Sequence, residues 1–353
     1  MFSEDDIKQF NENLRELMDS SSRQAKEILR NILLKVFTKL SYSFVDLTET
    51  PNTCFDIIAK KENKLTIIKI EPYIDNFLKV QAQELKNLSA FLQASPVIIG
   101  VRGKRFDEIQ DGLVLFRHEI PVISLETFLN LMIDGLPPVV YCSRGGYYVR
   151  INRNSLRKAR LDKNLSYSEL ARLVGISRRT MYEYEHSINP PPETAILLED
   201  ILDISLTQGI PVFNIKFRIE EDTISSIEKL SPRKEEIATL LEDLGLISQF
   251  WVKKMPFDAY GEHGNHDVKS GLNVLLCVDE NKGKNVITRV EMTQKIASIA
   301  KRRPILIIDE EDHPASELVP TFTIDELQEM KKAFDLVKEY IKKYALLKEN
   351  IDG

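Results

Sequence analysis

Apolar residues recur every three or four positions over residues 21–40, which predicts an amphipathic helix. Short apolar runs at 43–47, 55–60 and 65–71 predict strands. A second helical period covers 81–93, and the apolar run at 96–101 predicts a buried strand. Strands at 114–117 and 122–123 then lead into a helix over 125–133. Pro137-Pro138 marks a turn, and 139–151 has the pattern of a hairpin about Gly145-Gly146. Beyond residue 206 comes a connector with an alternating segment at 212–219. The last third predicts a helix over 232–244, strands at 250–255, 272–278 and 286–288, a helix over 293–301, a strand at 305–308 and a closing helix over 324–347. The two ends share one order, helix–β–β–β–helix–β, and each carries a buried apolar strand, PVIIG in the first and PILIID in the second. That parallel suggests a duplication, although the two segments share little sequence.

The most specific pattern lies between these ends. Ser166 and Glu169 have the spacing of a capping box, in which each side chain satisfies the other residue's free backbone N–H. Leu170, Ala171 and Val174 then fall on one face of a helix over 167–174. Gly175 permits the left-handed backbone that ends it. Ile176 plugs the angle, and Ser177 caps a second helix over 178–186. Met181 and Tyr184 point inward there, leaving Arg178, Arg179, Tyr182 and Glu183 outside. Two short helices joined by a glycine turn form a helix-turn-helix, whose second helix enters the major groove of DNA.

This pattern resembles the lambda repressor/Cro type of helix-turn-helix. The matching residues are Leu156, Arg160, Leu165, Ser166, Glu169, Leu170, Ala171, Gly175, Ile176, Ser177, Thr180, Met181 and Glu185, with Leu198, Ile201 and Leu202 on the helix behind. The resemblance implies that Arg178, Arg179 and Glu183 read bases, and arginine there can contact guanine O6 and N7 bidentately. It places Ser177 and Thr180 on phosphate or sugar, and pairs Arg160 with Glu185 structurally. Tyr182, Tyr167 and Arg153 complete the expected DNA-binding set. Tyr167 departs from the family, which has a glutamine or similar polar residue at that place. The family's fifth helix also has no clear counterpart, because Gly209 and Pro211 interrupt 207–212. Along its whole length the chain resembles an archaeal family of HTH-type transcriptional regulators.

Charge agrees with the motif. Residues 144–190 hold ten Lys and Arg against four Asp and Glu, a net of +6, in a chain whose total is −6. A basic island in an acidic protein is the footprint of phosphate binding. At 353 residues the chain predicts two or three domains. The expected fold class is multidomain α/β plus all-α: a central lambda repressor-like bundle at 149–210, flanked by α/β domains at 1–148 and 211–353. The cysteines, Cys54, Cys142 and Cys277, are far apart, which argues against disulfides and for a reducing cytoplasm. No apolar run reaches membrane-spanning length, and MFSEDD is too acidic for a signal peptide.

Two places tempt a chemical reading. Asp56 opens one strand and Lys69 lies on the next, as in restriction-endonuclease-like folds, where carboxylates bind a divalent metal and the lysine polarises water or phosphate. The acidic position two residues before that lysine is Ile67, which cannot bind metal, and Glu71, two residues beyond the lysine on the same strand face, is the one carboxylate that could substitute. The expectation is a retained nuclease-like fold with a degenerate, inactive site; the alternative is a metal-dependent DNA nuclease targeted by the helix-turn-helix. In the last third Asp258 precedes LNVLLCVDE, which has no lysine at the required place. The second place is the loop at 261–267, where His263, His266 and Asp267 are close enough for a metal, although such loops are more often polar hairpin tips. His118, His186 and His313 have no obvious partner, and no phosphate loop, dinucleotide fingerprint or nucleophile elbow is visible. The function expected is a sequence-specific, DNA-binding transcriptional regulator, cytoplasmic and homodimeric, without cofactor or bound metal and with double-stranded DNA as its partner.

Overall fold

The computed structural model describes residues 9, 12, 13, 16, 17, 20–50, 53–105, 108–218, 230–250, 255–263, 273–279, 286–309 and 313–352. These fall into two compact units, one of residues 1–40, 68–86 and 95–216, the other of residues 41–67, 87–94 and 217–353.

In the first unit, helix α1 (Ser22–Lys39) begins at a capping box between Ser21 and Gln24 and buries Ala25, Leu29, Ile32, Leu33, Val36 and Phe37. Strand β1 (Ser43–Asp46) pairs antiparallel with β2 (Ile57–Lys61) in the second unit, and β3 (Lys64–Ile70) passes from the second unit into the first. Helix α2 (Lys79–Leu92) and strand β4 (Ser95–Ile99) follow, then β5 (Leu113–Arg117) and β6 (Ile120–Ile123). Helix α3 (Leu125–Ile133) is capped by Ser124, whose hydroxyl accepts from the Thr127 N–H at 3.0 Å. Strands β7 (Val140–Ser143) and β8 (Gly146–Val149) form the expected hairpin. The strand order in this unit is β3-β4-β6-β5-β7-β8, with β4 parallel to β6 and β5 parallel to β7. Four helices then close the unit: α4 (Arg153–Asp162), α5 (Tyr167–Val174), α6 (Arg178–His186) and α7 (Pro192–Leu202).

In the second unit, α8 (Pro232–Asp243) leads into an antiparallel meander of β9 (Leu246–Phe250), β10 (Ala259–His263) and β11 (Asn273–Val278). Helix α9 (Val286–Ala300) carries the chain to β12 (Arg303–Ile308), parallel to β11, and β13 (Thr321–Thr323) pairs parallel on its far side. Helices α10 (Ile324–Glu329) and α11 (Ala333–Asp352) follow. Ile237, Leu241, Val274, Leu276, Ile305, Phe322 and Leu336 form the core, each buried. Each such side chain contributes about 1.5–3 kcal/mol by leaving water.

The element order helix–β–β–β–helix–β recurs in α1–β4 and in α8–β12. The likeness extends to single bonds. Glu71, one residue past β3, donates its N–H to Ile99 at 3.0 Å, and Asp279, one residue past β11, donates to Ile307 at 3.0 Å. Each apolar strand then gains a further parallel neighbour, β6 or β13, and each neighbour runs into a helix capped by a hydroxyl, Ser124 or Thr323.

Four sequence expectations change. The run at 286–288, expected as a strand, is the first turn of α9, because Val286 and Val290 bury one helical face. The strand expected at 250–255 is β9, which ends at Phe250, and 251–254 lie outside the described residues. The closing helix breaks at Met330, where ψ is 142°, and restarts where the Asp335 carboxylate accepts from the Lys331 and Lys332 N–H groups. Of the alternating segment at 212–219, the described residues 212–218 hold one 3-10 turn, at Val212–Asn214. Among the described residues no helix is long and apolar enough to cross a membrane.

Candidate nucleic-acid interface

Local chemistry sets each element of the helical bundle. Asn152 caps α4, its side chain accepting from the Ser155 N–H at 3.1 Å. The Ser166–Glu169 capping box starts α5: the Glu169 carboxylate accepts from the Ser166 N–H at 2.8 Å, and the Ser166 hydroxyl from the Glu169 N–H at 3.2 Å. Gly175 ends α5 at φ 79° and ψ 29°, the left-handed region that a Cβ penalises. Ser177 caps α6, accepting from the Thr180 N–H at 3.0 Å. Leu156, Leu170, Ala171, Val174, Met181, Tyr184, Ala195, Leu198 and Leu202 make one core, with Leu165, Ile176 and Ile201 packed against it.

With Met181 and Tyr184 inward, the opposite face of α6 lies open. Ser177, Arg178 and Arg179 are exposed, Tyr182 is half exposed, and Thr180 and Glu183 are partly covered. Arg179 reaches Glu183 at 2.9 Å, four residues along, with its side chain 88% exposed. Such an exposed pair is weak and gives way readily to a stronger anion. Tyr182 stacks on His186 at 4.0 Å between ring centroids. Two arginines on the first turn of a helix, at the positive end of its dipole, form a surface suited to anions and base edges.

Tyr167 and Arg153 are placed differently. The Tyr167 hydroxyl donates to Glu185 Oε2 at 2.9 Å, and the Arg160 guanidinium lies 4.0 Å from its ring centroid. Burial, and then the hydrogen bond to Glu185, raise the Tyr167 pKa above the usual phenol value. Arg153 Nη2 donates to the Ser187 carbonyl at 3.0 Å and to Asn189 Oδ1 at 3.2 Å, steadying the turn after α6. Asn189 in turn donates to the Tyr141 hydroxyl on β7 at 2.9 Å. The sequence offered no signal for Asn189 or Tyr141, which lie 48 positions apart.

The nuclease-like positions fail a test of donor chemistry. Ile67 is fully buried on β3 and has no ligand atom, while Asp56 and Lys69 are buried, at 1% and 6% exposed. At the position of the acidic ligand, Ile67 therefore offers nothing to the divalent ion that this chemistry needs. In the second unit, Asp258 immediately precedes β10, as Asp56 precedes β2. Its carboxylate pairs with Lys234 at 2.8 Å and with Arg289, and accepts from the Val278 N–H at 2.8 Å. Two cations thus neutralise it. Cys277 on β11 is buried, and burial pushes its thiol up to about 12. His313 Nε2 lies 3.0 Å from Asp279 Oδ2. Among the described residues no three His, Cys, Asp or Glu side chains are grouped as a metal site. The proposed ligands His266 and Asp267, and the side chain of His263, lie outside the described residues.

Comparison with known proteins agrees with this geometry. A family model described as helix-turn-helix matches residues 156–208, and a PD-(D/E)XK superfamily domain matches residues 26–138. A Methanocaldococcus jannaschii protein named "Putative HTH-type transcriptional regulatory protein" is 34% identical over 319 residues, covering 89% of this chain and 97% of that protein. Proteins of the same name from Archaeoglobus fulgidus and Thermococcus kodakarensis are 31% and 32% identical, covering 86% and 85% of this chain and 94% and 91% of their own. No solved structure matches the chain. The capped, glycine-hinged helix pair and the shared length together place this chain in the archaeal family of HTH-type transcriptional regulatory proteins.

Proposed function

We propose that the protein is a sequence-specific transcriptional regulator that enters the major groove of duplex DNA with α6 and binds as a homodimer. The observation that carries this reading is the open first turn of α6, with Arg178 and Arg179 exposed above a fully packed inner face. Arg178, Arg179 and Glu183 face base edges, Ser177 and Thr180 meet phosphate or sugar, Tyr182 flanks them, and Arg153 and Tyr167 hold or touch the backbone side. One such module covers a half-site, and a dimer reads two half-sites about 34–36 Å apart. The proposed domains are an inactive nuclease-like domain at 1–148, the DNA-binding domain at 149–210 and a second α/β domain at 211–353, bounds that the two interleaved compact units do not share. The PD-(D/E)XK match supports a nuclease-like fold in the first third, and Ile67 in place of an acidic ligand supports a non-enzymatic role.

The test selects duplexes from a random library with the full-length protein and measures affinity for the winner. Arg178→Ala or Arg179→Ala costs roughly 1–3 kcal/mol and relaxes preference at one position per half-site. Wild-type affinity in both variants overturns the assignment of α6. Incubation with magnesium or manganese leaves the duplex intact; cleavage that Asp56→Ala abolishes establishes the nuclease reading instead.

A further inference from the structure

The β7–β8 hairpin lies outside the helix-turn-helix match, which begins at residue 156. Between Asp134 and Asp162 the chain has no acidic residue but carries Arg144, Arg150, Arg153, Arg157, Lys158 and Arg160. In a chain that is 29% charged with a net −6, this one-signed stretch stands apart. Arg160 is buried against Glu185, and Arg153 is turned onto Ser187 and Asn189. Arg144, Arg150, Arg157 and Lys158 are exposed, the first two at either end of β8.

The hairpin's shape and anchorage are both specific. Its two-residue turn is Arg144-Gly145, closed by the pair Ser143↔Gly146, and Gly145 and Gly146 have φ 96° and 146°. Arg144 is thus exposed at the tip itself, and Tyr147, opposite Cys142, is 45% exposed. Behind the tip the hairpin is fixed at the turn that ends α6. The Tyr141 hydroxyl accepts from Asn189 at 2.9 Å, and the Val149 N–H donates to the Pro190 carbonyl at 2.9 Å. Val149 and Ile151 belong to the core of the helical bundle. On its other edge β7 pairs with β5 through Leu113↔Val140 and Val114↔Tyr141. The hairpin is therefore a rigid arm attached beside the far end of α6.

We propose that this hairpin is a second DNA-contacting element, with Arg144 and Arg150 on phosphates flanking the bases that α6 reads and Tyr147 against the sugar–phosphate edge. The inference rests on the reading that α6 enters DNA. Its contribution is sequence-independent, because phosphate contacts position a protein without specifying sequence.

The experiment compares the full-length wild type, the double variant Arg144→Ala/Arg150→Ala and the shape-preserving Arg144→Gln/Arg150→Gln. Each is titrated onto a random-sequence duplex and onto the wild-type-selected duplex, at ~50 and ~200 mM salt. Loss of two phosphate contacts makes the salt slope shallower by about 2, so affinity falls about tenfold less between those salt concentrations. The preference for the selected duplex stays unchanged, unlike in Arg178→Ala. If wild type binds and both double variants keep its slope, the hairpin proposal is overturned and α6 stands. If wild type binds neither duplex at low salt, the α6 reading falls and the hairpin proposal falls with it.

Discussion

Arg160 of α4 and Glu185 of α6 are joined by two hydrogen bonds, Nε to Oε1 at 2.6 Å and Nη2 to Oε2 at 3.1 Å, with side chains 6% and 0% exposed. The same guanidinium donates Nη1 to the Leu165 carbonyl at 2.9 Å, and Tyr167 adds its hydroxyl to Glu185. The hydrogen bond to Glu185 raises the Arg160 pKa further above its ordinary value, against the opposing effect of burial. One buried pair thus fixes α4, the start of α5 and α6 at once. Burying two charges is costly, and the cost is offset here because the geometry is bidentate and a third donor meets the Leu165 carbonyl.

Removing one partner therefore does more harm than removing the pair's auxiliary bond. Arg160→Ala leaves the Glu185 carboxylate buried with only Tyr167 beside it and costs about 3–5 kcal/mol. Tyr167→Phe removes one hydroxyl and costs about 1 kcal/mol. Urea unfolding of both variants measures the two values. Equal midpoints would mean that the pair does not brace the bundle.

The hinge between α5 and α6 depends on backbone conformation alone. A Cβ on Gly175 meets nothing within 4 Å, so packing does not forbid a side chain there, while φ 79° does. Gly175→Ala costs about 1–2 kcal/mol, and Gly175→Asn costs less because asparagine tolerates the left-handed region. Thermal melts of the two variants give the order. A melt for the alanine variant at or above wild type would contradict the strain argument.

A carboxyl pair gives the first unit a pH dependence of defined sign. The hydrogen bond with Asp111, then burial, then the Asp111 charge push Glu126 up from 4.5 to about 7. Ser124 donates to the same Asp111 carboxylate at 2.7 Å. Between these values the folded protein keeps a proton that the unfolded chain has released, so stability is present at low pH and falls as pH rises to about 7. Glu126→Gln removes that decline. Urea midpoints across the window show it as a flatter profile, and an unchanged slope would rule the pair out as its source.

The helix-turn-helix was legible in the sequence almost residue by residue. The helices predicted over 167–174 and 178–186 are α5 and α6 with the same ends. Their signals are local: a capping box, a glycine forced into the left-handed region and a capping serine lie within a few residues of what they control. Elements whose stability comes from neighbours were not legible. Strand β10 has a weak apolar pattern and exists because β9 and β11 bind it on both sides. Val286-Ile287-Thr288 are β-branched and suit a strand by propensity, yet they form the first turn of α9, whose inward face starts at Val286 and continues through Val290. The closing helix broke at Met330, where Asp335 supplies a new start that its sequence distance from the break did not reveal.

Short-range chemistry therefore determined, from the sequence alone, the DNA-binding motif, its exposed arginines and the absence of an acid at Ile67, because each depends on residues within one or two turns or on one side chain's own donors. Only the tertiary structure decided that Tyr167 stacks on Arg160, that Arg153 holds the turn after α6, that Asp258 is met by two cations and that the hairpin is bound to that turn. Apart from Tyr167 and Arg160, which are near neighbours in sequence, those contacts join residues tens of positions apart, and packing brings them together where sequence spacing carries no record of distance.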